Sequence, residues 1–465
     1  MPENLGDILT RWTSTFSGWI SIPLIVILLG TGILVSIRLR WIQLRKLNHS
    51  FDVIGGKYDN PEDEGDVTHF QALSAALSAT IGIGNIAGVA LAVRLGGPGA
   101  LFWMWVTAVL GMALKFSECT LSHHFRIIHE DGSASGGPMY YIEKGLGPRW
   151  KPLAIAFASL AVTCSFCTGN MNQANTIAQT FSTYNVPSWA AGAIIAFMVG
   201  LVIIGGIKRI AAVASRLVPT MALLYVGSAI LVLLINYTKV IPGITSIFRE
   251  AFSLKAGWGG LITVMMWGVR RGLYSNEAGQ GSAPIAHAAA KTKESVREGV
   301  VAQIGPFVDT LVVCTMTGLM ILTTGVLDTT DLTGAQLTRE AFRLGFSFAP
   351  EIGSFIVNAS VLLFAYSTMV AWSYYGDRSI EYLLGPQAVR PYRWFYVFFN
   401  FLGAILPLAF VWNFGDIALS LMTIPNLIGV IFLTGTLKTM TNDYFSRQHL
   451  TYQDYLRQKG QELSE

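Results

Sequence analysis

The stretch at residues 74–90, SAALSATIGIGNIAGVA, constrains this chain more than any other. It is apolar enough to lie in hydrocarbon, yet Gly82, Gly84, Asn85 and Gly88 crowd its centre. Glycine costs about 1 kcal/mol against alanine in a helix interior, and asparagine competes for backbone hydrogen bonds. Three such residues within positions 82–85 predict a break between Thr80 and Ile86. An unpaired backbone group in hydrocarbon is expensive, so a break survives only where it lines a protein cavity or holds a ligand. The half-helix that starts near Asn85 aims free N–H groups and a positive dipole end at the break, which suits a carboxylate. Carbonyls at the half-helix that ends near Thr80 suit a cation or an ammonium. A zwitterionic amino acid presents both groups, and glycine at 82 and 84 lets the backbone approach it closely. Taken alone, the stretch also fits a packing kink of small residues against a neighbouring helix. GIGNIAG brushes against the dinucleotide fingerprint, but no strand precedes it and no βαβ unit surrounds it.

Charged residues make up 13% of the chain and hydrophobic ones 52%, against about 25% charged in a soluble protein. Several apolar runs reach the length that crosses about 30 Å of hydrocarbon. An all-α polytopic membrane protein follows, over the alternative of a large soluble enzyme with buried helices. Eleven spans are expected, near 19–37, 70–96, 99–126, 152–181, 188–206, 211–236, 257–287, 298–325, 352–383, 394–412 and 416–437. With the N-terminus outside, segments 38–69, 115–151, 206–216, 270–297, 376–393 and 438–465 are cytoplasmic. They hold 25 of the 32 Lys and Arg, so the positive-inside rule predicts an outside N-terminus and a cytoplasmic C-terminus. The start MPENLGDILTRW is acidic and span 19–37 is long for a signal peptide, so that span reads as a retained anchor. The net charge of +4 is too small to suggest nucleic-acid binding. Cys164 and Cys167 form a CxxC without a second pair, which fits small packing residues better than a metal or redox site.

A second interrupted span matches the first. Residues 261–290 read LITVMMWGVRRGLYSNEAGQGSAPIAHAAA, with Gly268, Gly272, Gly279, Gly281 and Pro284 scattered through span 257–287. Arg270, Arg271, Asn276 and Glu277 are groups that a lipid-facing helix does not tolerate. With 19–37 set aside as an extra N-terminal helix, the broken spans open two five-helix halves, 70–236 and 257–437, followed by a cytoplasmic tail, 438–465. The whole chain, 1–465, then forms a single transporter domain. Five is odd, so the halves enter the membrane from opposite sides, and paired interrupted helices in inverted halves point to a secondary-transporter site. Ser367 and Thr368 offer hydroxyls in mid-membrane, and Trp372 offers a flat wall one turn on. Such hydroxyls commonly bond the i−4 carbonyl, but with carbonyls of the broken helix they can also supply oxygens for a hard cation. Gln173 lies on an inward face in SFCTGNMNQANTIAQ, suited either to interhelical hydrogen bonding or to substrate contact. Asp309 should pair with an arginine of the second break or carry a proton. Residues 336–346 in the loop 327–351 read either as a short helix over the outer mouth or as a solvated connector. No nucleophile–base set, P-loop or metal-ligand spacing stands out.

With ATIGIGNIAG, LGGPGALFWMW, GMALKFSE, GLYSNEAGQGSAPIAHAA, DTLVVCTMTG and SLMTIPNLIG in that order, the chain resembles the alanine or glycine:cation symporter family from about residue 68 to 437. The resemblance implies a LeuT-like 5+5 inverted-repeat core behind one extra helix. It implies sodium-coupled uptake of alanine or glycine across a bacterial or archaeal plasma membrane, with Na+ as coupling ion and no organic cofactor. Some members use protons or carry glutamine. On matching positions, Thr80, Gly82, Gly84 and Asn85 would hold the substrate backbone, facing Gly268, Gly272 and Asn276, with Gln173 and Trp372 at the sides. Sodium would sit on carbonyls near Ser78 and Ile81 and on the hydroxyls of Ser367 and Thr368. The partners expected are a small amino acid and the bilayer, and the chain reads as a monomer. A channel is the more distant alternative.

Overall fold

The computed structural model describes residues 5–457 apart from 131, 205, 255, 256, 453 and 455. Those residues are helical except for short connections and one hairpin, in which Ile127–Ile128 pairs antiparallel with Ala134–Ser135. The helices that concern the site are α1 (Leu5–Arg38), α2 (His69–Thr80), α3 (Val89–Gly96), α4 (Ala100–His124), α5 (Lys151–Phe166) and α6 (Asn172–Ser182). There follow α7 (Ser188–Ile203), α8 (Gly206–Ile235), α9 (Tyr237–Ala251), α10 (Gly257–Asn276), α11 (Ala283–His287) and α12 (Ser295–Ala302). The chain closes with α13 (Thr315–Thr324), α14 (Gly334–Gly345), α15 (Pro350–Leu384), α16 (Val389–Ile405) and α17 (Leu408–Ser446). Among the described residues, seven helices are long and apolar enough to cross a membrane, and the bent pair 69–96 makes an eighth.

The first break lies inside the expected interval. A capping box starts α2: the Thr68 hydroxyl accepts from Gln71 N–H at 3.2 Å, and the Gln71 side chain accepts from Thr68 N–H at 3.0 Å. The helix opens at Ile81, where ψ reaches 84°. It resumes at Gly84 as a π turn, Gly84–Gly88, that leads into α3, and the two halves meet at 52°. The second break falls later than the glycines first suggested. α10 runs without interruption through Gly268 and Gly272 to Asn276. The chain then turns through left-handed Glu277 (φ 52°), Gly279 (φ 78°) and Gly281 (φ 83°) before α11. Gly268 and Gly272 instead let α10 press on α4: a Cβ would stand 2.6 Å from Trp103 Cβ at the first and 3.2 Å from Met104 Cα at the second.

Other boundaries shift for local reasons. The connection expected at 413–415 is at Leu406–Pro407, because a residue before proline is driven out of the helical region and Leu406 adopts ψ 157°. Span 152–181 is interrupted by a π turn at Cys167–Met171, and a further π segment, Phe307–Cys314, precedes α13. Helix α9 lies between the expected spans 211–236 and 257–287. The stretch at 336–346 is helical as far as Gly345, and as α14 it packs on α15 and on the π turn after the first break.

α2 packs against α8, α11 and α15, while α10 packs against α3 and α4, so α2 and the second half of α10, from Gly268 on, lie inside the bundle, whereas Trp258 and Ile262 at the start of α10 are exposed. α1 packs chiefly along α17 and turns Trp19 and Val26 outward, as α8 turns Leu223 and Leu234. Large apolar side chains on such faces are what a lipid-exposed helix presents. The four cysteines are buried and free.

Candidate functional site

The two halves of the first break are held by different neighbours. On the α2 side, Ser78 C=O accepts from the hydroxyls of Ser367 and Thr368, each at 3.2 Å, and Ser78 Oγ donates to Ser367 C=O at 2.9 Å. Ser367 also donates to Phe364 C=O of its own helix at 2.9 Å. Five oxygens of Ser78, Ser367 and Thr368 thus meet in a buried spot close to Ile81, where the helix opens. Thr80 Oγ1 turns back on its own helix, 3.3 Å from Ala76 C=O.

At the gap, Gly82 faces Thr368 and Gln173: a Cβ there would lie 2.7 Å from Thr368 Oγ1 and 3.5 Å from Gln173 Oε1. Gln173 donates to Thr168 C=O at 3.2 Å, which leaves its Oε1 buried without a partner beside the break. Gly84 faces α10, where a Cβ would stand 3.3 Å from Ser275 Cα. The interrupted helices therefore touch at Gly84 and Ser275. Asn276 bridges Thr310 Oγ1 at 3.2 Å and Ala278 N–H at 3.0 Å, which caps α10. Trp372 lies under Gly169 of the π turn, and its indole N–H donates to Glu277 Oε1 at 3.1 Å. Thr80, Gly82, Gly84, Asn85, Gln173, Ser78, Ile81, Ser367 and Thr368 are thus gathered at one place, with Trp372 and Asn276 adjoining. Gly268 and Gly272 are not among them.

Asn85 ties the break to the π segment 307–314. Its Oδ1 accepts from Gly82 N–H at 2.9 Å, and its Nδ2 donates to Asp309 Oδ1 at 2.7 Å. The other oxygen of Asp309 accepts from Ser275 at 2.8 Å and Thr310 at 2.7 Å. The expected pairing of Asp309 with an arginine of the second break is therefore not made, because Arg270 and Arg271 turn to Asp416 of α17 instead. At the π turn, Thr317 donates to the Asn85 carbonyl at 2.8 Å, and Thr338 donates at 2.9 Å to the Ile86 carbonyl, which also accepts from Val89 N–H.

The second break is held from α4 and α17. Glu118 accepts from Gly281 N–H at 3.2 Å and from Asn426 Nδ2 at 2.9 Å, while Asn426 also donates to Gly279 C=O at 2.7 Å. Tyr141 donates to Asn426 Oδ1. Below it, Glu298 of α12 joins His69 at the start of α2 to His287 at the end of α11, the latter at 2.5 Å, and all three are buried. Glu118 and Glu298 escaped the sequence reading, although Glu118 ends the GMALKFSE motif and Asn426 sits in SLMTIPNLIG.

On the opposite side, a cavity of about 500 Å³ opens between α3, α6, α10, α14, α15 and α17. Its floor includes Trp412, which stacks on Tyr274 at 5.3 Å, and the Tyr274 hydroxyl accepts from Asn172 Nδ2 at 3.1 Å. Arg270 and Arg271 line this cavity. They lie away from the Glu298 end, where the charge count had grouped them.

The sodium:alanine symporter family model matches residues 6–458. The sodium/alanine symporter AgcS of Methanococcus maripaludis is 45% identical, the match covering 90% of this chain and 94% of that protein. The amino-acid carrier protein AlsT of Bacillus subtilis is 36% identical over 97% of this chain and 94% of its own. The probable sodium/glutamine symporter GlnT of Bacillus subtilis is also 36% identical, over 90% and 87%.

Proposed function

We propose, since the chain belongs to the sodium:alanine symporter family, that it carries a small neutral amino acid inward with Na+ by alternating access. It is a membrane transporter and not an enzyme. The observation that carries the ion is the meeting of Ser78 C=O with the Ser367 and Thr368 hydroxyls at the end of α2. A sodium ion there draws on the same oxygens that now bond one another, and it neutralises the carbonyl end of the half-helix. Gly82, Gly84 and Asn85 border the gap into which the substrate fits, with Gln173 Oε1 as an unpaired acceptor for its ammonium. Thr368 touches both places, so ion and substrate share a wall. Ion binding that orders this wall raises substrate affinity, and the substrate raises ion affinity by the same factor.

The five-plus-five reading places the cavity outside and the Glu298 end in the cytoplasm. The present conformation then corresponds to a carrier entered from outside as far as the Tyr274–Trp412 stack and shut below by Glu118 and Glu298. AgcS carries alanine in its name, and the crowding of Gly82 by Thr368 and Gln173 favours an equally small substrate. A proton-coupled carrier is the second reading, favoured by the Asp309 carboxylate bound to Asn85 at the break without a basic partner among the described residues.

The test is uptake of radiolabelled L-alanine into proteoliposomes under an inward sodium gradient against an equal potassium gradient. Accumulation with sodium alone is expected. Uptake driven by a proton gradient without sodium would move coupling to Asp309. Failure under every gradient would refute alanine as the substrate.

A further inference from the structure

The floor of the outer cavity holds a charge that transport through the first break leaves unused. Arg271 lines the cavity with its side chain only 6% exposed, and its Nη2 lies 3.6 Å from Asp416 Oδ2. That oxygen already accepts from Arg270 at 2.7 Å. Nε and Nη1 of Arg271 have no hydrogen-bond partner. The rings of Trp267, Tyr274 and Trp412 stand 5.6, 5.7 and 5.8 Å from the guanidinium carbon. Ring faces attract a cation, but they do not take the place of oxygen acceptors for its N–H groups. Buried charged donors left unmatched are costly, and an oxyanion is the ligand whose geometry answers a guanidinium. The lining carries Arg270, Arg271 and Arg339 against Asp416 alone, a net +2 (three minus one) that draws anions inward.

We propose that Arg271 is a carboxylate station: it receives the carboxylate of an amino acid in the cavity, above the Tyr274–Trp412 stack, before the substrate reaches Gly82 and Gly84. The station rests on the transport reading for its role, though not for its existence. A small inorganic anion such as chloride answers the same positive charge without the paired oxygens, and the test separates the two.

Two readouts are taken on wild type, Arg271→Gln and Arg271→Lys. In detergent, the thermal midpoint is followed on adding acetate, chloride, or the bulkier isethionate, all as sodium salts. Acetate carries the carboxylate without the ammonium. It should raise the midpoint of the wild type, less so that of Arg271→Lys, and not that of Arg271→Gln. In proteoliposomes, Arg271→Gln should raise the KM for alanine about tenfold, the effect of one lost charge-assisted hydrogen bond, with sodium activation unchanged. Equal acetate shifts in wild type and Arg271→Gln would overturn the station. A chloride shift without an acetate shift, lost in Arg271→Gln, would overturn the carboxylate in favour of an inorganic anion. An Arg271-dependent acetate shift in a protein that takes up no amino acid would sustain the station and refute the transport reading alone.

Discussion

Asn85→Ala is the sharpest perturbation of the first break, because one amide serves both sides of it. The side chain is fully buried, accepts from Gly82 N–H at 2.9 Å and donates to Asp309 Oδ1 at 2.7 Å. Its removal leaves a buried N–H without an acceptor, at about 1–3 kcal/mol, and deletes a bond to a carboxylate, at about 1.5–3 kcal/mol. The expected loss is about 2.5–6 kcal/mol, measured as the shift in unfolding of the purified protein in mixed micelles titrated with a denaturing detergent. The decisive quantity is the coupling in a double-mutant cycle with Asp309→Ala. Neutral interhelical hydrogen bonds in membranes average about 0.6 kcal/mol in such cycles, whereas a bond to an ionised carboxylate should couple at about 1.5–3 kcal/mol. Uptake should be lost in Asn85→Ala even under conditions where the protein remains folded, since Gly82 no longer has a fixed orientation. Additive effects of the two substitutions would refute the view that Asp309 anchors the break through Asn85.

Ser367→Ala combined with Thr368→Ala should raise the sodium concentration for half-maximal uptake by about tenfold or more, the equivalent of about 1.4 kcal/mol, while thermal stability in detergent changes little. Unaltered sodium activation would remove those oxygens from the ion site. Glu118→Gln sets an amide against the N–H of Gly281 and the amide of Asn426, so it should cost about 2–4 kcal/mol. Asn426→Ala should add little in that background, and full additivity would show that the second break is held some other way. A pH response is expected at the tail, where His49 bonds the Tyr444 hydroxyl at 2.8 Å and the His449 ring stacks on Tyr444 at 3.9 Å. Burial, with His449 beside it, pushes the His49 pKa from 6.5 down to about 4. The docked tail thus binds fewer protons than the released one. Docking is complete above about pH 6.5 and weakens as pH falls toward about 4. Limited proteolysis beyond Tyr444 should accelerate across that window, and a flat profile would exclude His49 as the cause.

The first break was legible because its cause is local: Gly82, Gly84 and Asn85 disfavour a helix whatever surrounds them. The second was legible as an interruption but not in register. Glycine in a membrane helix marks either a break or a close approach, and Gly268 and Gly272 proved to be the latter, against Met104 and Trp103. What distinguishes the two is φ, and the left-handed positions Glu277, Gly279 and Gly281 have no signature beyond the two glycines. Charge pairing was beyond reach for a different reason. Asn85 and Asp309 are 224 positions apart, and nothing local tells a carboxylate to choose an amide over the arginines of α10. The positive-inside count was similarly blind to Arg270 and Arg271, whose side chains turn into the cavity rather than toward the Glu298 end. In the sequence, 336–346 reads equally as a helix or as a connector, and the helix at 334–345 is held by packing that the sequence does not show, with Thr338 donating to the Ile86 carbonyl.

That contact has a bearing on how the chain is made. The carbonyls of Asn85 and Ile86 are matched by Thr317 and Thr338, which follow them by 232 and 252 residues, and the Asn85 amide waits for Asp309. A nascent chain that has released only the first half leaves the Asn85 carbonyl and the Asn85 amide N–H without these partners, and the Ile86 carbonyl with only Val89 N–H of its own turn. Hydrocarbon offers no substitute, so α2 and α3 cannot settle in their final depth until the ribosome has passed residue 338. The first half expressed alone should therefore be degraded or held by the insertion machinery. Co-expression with the second half as a separate polypeptide should rescue it, which makes the break a checkpoint for complete synthesis as well as a place for cargo.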